Sequence, residues 1–182
     1  MPDALTTIES AALDVLAAAQ AEEWQVASES VDALTAAWDE VATGEVPVLI
    51  EPLMTDAVGA LAESVGAEDA AAAHGAIEVA RLSLDLQLRH RPVAEVDLAR
   101  FGLWAAQMRL DAEEGDAAAV NGSLFALDYV RDRIQHTLAA ADATRINVLL
   151  EEIQGLVNDG DLPAVADAAV ELRDVVAGLA AG

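Results

Sequence analysis

Apolar residues in this chain recur three and four positions apart, and no stretch alternates apolar and polar residues as a half-buried strand would. The spacing predicts helices over about 3–19, 22–42, 48–65, 69–90, 94–114, 117–139, 142–158 and 162–180. The segments Gly44 to Pro47 and Arg91-Pro92 break the pattern, and Ala140 to Asp142 does so less sharply. Most of the five prolines, Pro2, Pro47, Pro52, Pro92 and Pro163, stand where a helix is expected to begin, the position that tolerates a missing N–H.

The helices come in pairs, because one motif occurs four times. An acidic bend leads into a short helix start and then into apolar residues at helical spacing: Glu22-Glu23-Trp24, Glu68-Asp69-Ala70, Gly115-Asp116-Ala117 and Gly160-Asp161-Leu162. Counting from Glu23, Asp69, Asp116 and Asp161, the repeats are 46, 47 and 45 residues long. Four positions on lie Ala27, Ala73, Val120 and Val165; eight on, Val31, Ile77, Leu124 and Ala169; eleven on, Leu34, Ala80, Leu127 and Leu172. Each unit therefore reads as a helix, a tight bend and a returning helix, the acid capping the exposed N–H groups of the second. The expected fold class is all-α: four tandem antiparallel helical hairpins, at about 3–42, 48–90, 94–139 and 142–180, in one domain over 1–182. Closure into an up-down bundle and stacking into a short α-solenoid both satisfy this pattern.

Composition narrows the partners. Apolar residues make up 54% of the chain but aromatics only 3%, so small side chains, alanine above all, must supply much of the helix packing. The net charge is −24, and all nine basic residues are arginine. A phosphate backbone or an anionic membrane surface is repelled by such a field, which excludes nucleic acid as a partner. No window is apolar and uncharged enough for membrane insertion; the best, Ala70 to Leu88, contains His74, Glu78, Arg81 and Asp85. With no cysteine, thiolate chemistry and disulfides are excluded. The compartment stays open, the mature part of an exported protein included.

Two groups of residues invite a chemical reading. Antiparallel hairpins put the bends at one end and the linkers at the other, so His90, His136, Asp97 and Asp132 gather with Arg89, Arg91, Arg131, Arg133 and Arg145 near the linkers. Histidine beside carboxylate suits a divalent metal ion, and arginine with histidine suits an anionic ligand. The competing account is electrostatic, since cations near helix C-termini stabilise the dipole. His74 and Glu78 form a second candidate metal pair, four apart on a helix whose other faces are nearly all apolar. Asp97, Arg100, Trp104, Gln107 and Asp111 form a matching polar stripe on the next helix, better read as an ion-pair network than a cofactor site. The acidic segment Asn158-Asp159-Gly160-Asp161 fails as a calcium loop, because no glutamate follows at the twelfth position.

No nucleophile–base–acid set or glycine-rich phosphate loop is present, so a non-catalytic protein is expected. Its function is expected to be the binding of a metal ion or small ligand through His90, His136, Asp97, Asp132, His74 and Glu78. The alternative is a protein–protein interaction scaffold, which requires a contiguous exposed apolar patch.

Overall fold

In the computed structural model, which describes residues 1–180, the periodic segments fold as α1 (Asp3–Gln20), α2 (Trp24–Ala42), α3 (Ile50–Gly66), α4 (Ala71–Gln87), α5 (Val93–Glu113), α6 (Ala117–Ile134), α7 (Ala140–Asp159) and α8 (Leu162–Ala180). The chain is all-α, and no strand occurs among the described residues.

All four hairpin bends share one construction. The residue before the capping acid adopts a left-handed conformation, with φ of 57° at Glu22, 53° at Glu68, 78° at Gly115 and 74° at Gly160. That twist returns the next N–H to a carbonyl five residues back: Glu23 to Ala18 at 2.9 Å, Asp69 to Ser64 at 2.9 Å, Asp116 to Asp111 at 2.9 Å and Asp161 to Leu156 at 3.0 Å. Three acids then cap the following helix. Asp116 accepts from the N–H groups of Ala118 and Ala119 at 3.0 and 2.9 Å, Asp69 from Ala71 at 2.9 Å and Asp161 from Ala164 at 3.2 Å. Glu23, one methylene longer, makes no such bond.

Two helix ends differ from the sequence expectation. The fourth helix stops at Gln87 rather than residue 90, and the N–H groups of His90 and Arg91 both turn back to the Gln87 carbonyl, at 2.8 and 2.9 Å. The cause is Pro92, which bars the residue before it from helical dihedrals. The sixth stops at Ile134 rather than 139. The Thr137 hydroxyl takes the Ile134 carbonyl at 2.7 Å, one 3₁₀ turn follows, and Leu138 is extended. Accordingly α7 begins at Ala140, within the expected break.

The hairpins close in pairs, and the chain divides into two compact units, Met1–Arg91 and Pro92–Gly182. In the first, α1 packs on α2 and α4, and α3 on α2 and α4, an up-down four-helix bundle. In the second, α5 packs on α6 and α8, and α7 on α6 and α8, the same ring. Within each unit both hairpin bends therefore lie at one end and the α2–α3 or α6–α7 linker at the other.

The same register is buried in both. At an offset of 93 residues, Ile8, Ala12, Val15 and Ala19 of α1 correspond to Phe101, Ala105, Met108 and Ala112 of α5, all buried. Ala27, Val31, Leu34 and Ala37 of α2 correspond likewise to Val120, Leu124, Leu127 and Val130 of α6. At an offset of 92, Met54, Val58 and Leu61 match Ile146, Leu150 and Ile153, while Ala73, Ile77, Ala80 and Leu84 match Val165, Ala169, Leu172 and Val176. The chain is a structural duplication built on one buried pattern.

Candidate functional site

The residues singled out by the sequence fall into separate places. His74 is half-buried on α4 and Glu78 exposed one turn later. His90 belongs to the first unit, exposed in the turn after α4. It lines a shallow pocket of about 260 Å³ with Arg89, Glu40, Glu45 and the apolar side chains of Leu5, Val41, Val46 and Leu86. Arg89 is already engaged there, donating to the Glu45 carbonyl at 3.1 Å. In the second unit His136 is exposed in the 3₁₀ turn, and Asp132 is exposed on α6, accepting from Arg131 at 2.9 Å.

Asp97 is the exception, a buried carboxylate. One oxygen accepts from Arg100 at 2.9 Å and the other from both Nε and Nη2 of Arg133, at 2.9 and 2.8 Å. Both oxygens are thus engaged by guanidinium groups, whose planar fork matches carboxylate geometry. Among the described residues, no three histidine, aspartate or glutamate side chains come together in a way that could hold a metal ion.

Asp97 instead positions a helix. Near the opposite end of α5, buried Asp111 accepts from Gln107 at 2.7 Å and from the Ser123 hydroxyl of α6 at 2.8 Å. The two buried acids of α5 therefore grip α6 near both ends, through Ser123 and Arg133, and Arg131 holds Asn147 of α7 at 3.1 Å. The rotation of α6 about its axis is fixed by these bonds and by its core face, Val120, Leu124, Leu127, Val130 and Ile134.

That rotation turns a second apolar ridge outward. Ala118, Gly122, Phe125 and Tyr129 are all exposed, spaced four, three and four apart along the side opposite the core. Phe125 is 78% exposed and Tyr129 60%, and they are two of only six aromatic residues in the chain. The Arg133 guanidinium lies 5.8 Å from the Tyr129 ring centre. Its hydrogen bonds to Tyr129 and then to Asp97 raise its pKa further above the guanidinium value, so it stays charged at any working pH.

The first unit supplies an internal reference. The positions equivalent to Ala118, Gly122, Phe125 and Tyr129 are Gln25, Glu29, Asp32 and Ala36 on α2, also exposed. Gln25 donates to Glu29 at 2.9 Å, as an ordinary solvated face would. The fold thus does not require aromatic side chains there. A second exposed apolar patch, aliphatic rather than aromatic, sits in the first unit, where Val48, Leu49 and Leu53 are 82%, 81% and 56% exposed. Its equivalents in the second unit are Ala140, Ala141 and Arg145.

Sequence reasoning missed Phe125 and Tyr129 because it followed only the recurring core face. The signal was present, as two aromatics out of phase with that face where the first hairpin carries Asp32 and Ala36. Comparison of the chain with protein-family models, with curated proteins and with solved structures returned no match.

Proposed function

We propose that this chain is a non-catalytic protein-interaction module of the helical-repeat type, with the outer ridge of α6 as its binding face. The observation that carries the reading is the exposure of Phe125 and Tyr129 on a helix whose duplicate presents aspartate and alanine at the same positions. An aromatic side chain held in water forgoes about 25 cal/mol for each Å² it would otherwise bury, roughly 2–3 kcal/mol for a phenylalanine this open. Covering it with a partner recovers that energy, and aromatic residues are the usual anchors of protein interfaces. The metal-ion reading has less behind it, because Asp97 is engaged by two arginines and Asp132 by a third.

The test is site-directed photo-crosslinking in the native host. A photoreactive phenylalanine analogue replaces Phe125 in one variant and Asp32, its duplicate, in another. A discrete protein adduct is expected from position 125 and not from position 32. Equal labelling from the two positions, or none from 125, would remove the proposal.

A further inference from the structure

The α6 ridge carries more information than its apolarity, for its order of sizes and charges is self-complementary. Resting on the interaction reading above, we infer that the partner on this face is a second copy of the chain, docked α6 against α6, antiparallel, about a two-fold axis between Gly122 and Phe125.

Two observations support this occupant. The first is size. An antiparallel pair centred there sets Phe125 over Gly122 of the other copy and Tyr129 over Ala118, each aromatic against the smallest residues of the ridge. Apart from its chain neighbours and the backbone of its own helix turn, a Cβ added at Gly122 meets nothing within 4 Å, so no other element covers this glycine. A two-fold interface requires that one patch fit itself, and a small–small–large–large order along a helix does so only when antiparallel.

The second is charge. Two molecules of net charge −24 repel, and the contact must lie where that repulsion is least. On α6, Asp128 and Asp132 balance Arg131 and Arg133, whereas α2 carries Glu29, Asp32, Asp39 and Glu40 with no cation. Each of the other helices is likewise net acidic. The order of sizes thus selects the axis, and the charge balance selects the helix.

A single helical ridge makes a small interface, below the roughly 1,200 Å² of total area typical of stable complexes, so the dimer is weak and reversible. Its salt response is distinctive. Screening removes the repulsion between two acidic bodies and leaves the apolar contact, so association tightens as salt rises, whereas capture of a cationic partner would loosen.

Sedimentation equilibrium of the full chain tests the inference at salt from about 0.05 to 1 M, spanning Debye lengths from beyond 10 Å to 3 Å. The wild type is expected to form dimers with a Kd between about 10 µM and 1 mM, tightening with salt. Phe125→Ala with Tyr129→Ala, which leaves the charge unchanged, should weaken the dimer by about tenfold or more. Gly122→Phe is the sharper variant. It should fold at least as well, since glycine is a poor helix residue, yet lose the dimer because Phe125 of the other copy no longer fits. Folding of both variants is checked by helical circular dichroism and the urea midpoint. A wild type that stays monomeric throughout, or a Gly122→Phe variant that associates more tightly than wild type, overturns the self-pairing. A monomeric wild type that still yields a foreign adduct at position 125 overturns the inference and leaves the proposed function standing.

Discussion

The two halves of this chain bury the same pattern of residues and expose different ones. Ile8 and Phe101, Leu34 and Leu127, Leu61 and Ile153 hold equivalent core positions, all at most 1% exposed. Outside the core the halves diverge in three ways. The first unit places glutamate at its two left-handed positions, Glu22 and Glu68, where the second has Gly115 and Gly160. The first buries a neutral amide, Gln87, which donates to the half-buried Glu9 at 2.8 Å beside Arg91 at 3.3 Å, whereas the second buries two carboxylates, Asp97 and Asp111. Only the second carries an aromatic ridge outside. What two copies of one fold share is what the fold needs. What they do not share is open to other uses, and the divergence at α6 is the one that puts aromatic side chains into water.

Three measurements bear on that contrast, each comparing one residue with its counterpart. The largest effect is expected from the two phenylalanines. Phe101→Ala empties a fully buried site and should cost about 3–5 kcal/mol in urea unfolding. Phe125→Ala should stay within about 0.5 kcal/mol of wild type, as exposed positions without structural duty do. A large loss at Phe125 would make the ridge structural and end its use as an argument for function.

An intermediate effect separates the polar networks. Asp97→Ala strands Arg100 and Arg133, whose side chains retain 22% and 42% exposure, so water relieves part of the loss and about 2 kcal/mol is expected. Glu9→Ala, in a pair exposed by about a quarter on each side, should cost about 1 kcal/mol or less. The Asp97 variant should also free the rotation of α6 and broaden the amide resonances of Phe125 and Tyr129 in an NMR spectrum. Equal costs at Asp97 and Glu9 would show that α6 is positioned by its core face alone.

The smallest effect concerns the bends, and its sign should differ between halves. Glu68→Gly relieves a side chain held at φ 53° and should stabilise by about 0.5–1 kcal/mol. Gly160→Ala, at φ 74°, should destabilise by about 1 kcal/mol. Matched thermal melts of the two variants measure both shifts.

Much of the architecture was legible along the chain. Helices and bends follow from residues that act on near neighbours: apolar positions three and four apart, an acid at each bend, and prolines near the starts of helices. The mistaken ends were those decided by one local feature the periodicity does not register, Pro92 after the fourth helix and Thr137 after the sixth. The candidate site was less legible. Asp97 and Asp132 read as ligands because histidines and arginines stand near them in the sequence, yet Asp97 is occupied by Arg133, 36 residues away. Phe125 and Tyr129 read as two more apolar residues in an apolar chain.

The sequence by itself therefore determined the eight helices, their hairpin order, the bends and the acidic field, because each depends on contacts within about four residues. Tertiary structure decided that the hairpins close in pairs, α1 on α4 and α5 on α8, that Asp97 and Asp111 are buried, and that one aromatic stripe of α6 faces outward. A helix apolar on two sides does not declare which side will find a partner. That choice belongs to chain segments tens of residues apart, and it is settled only when the ring of four helices closes.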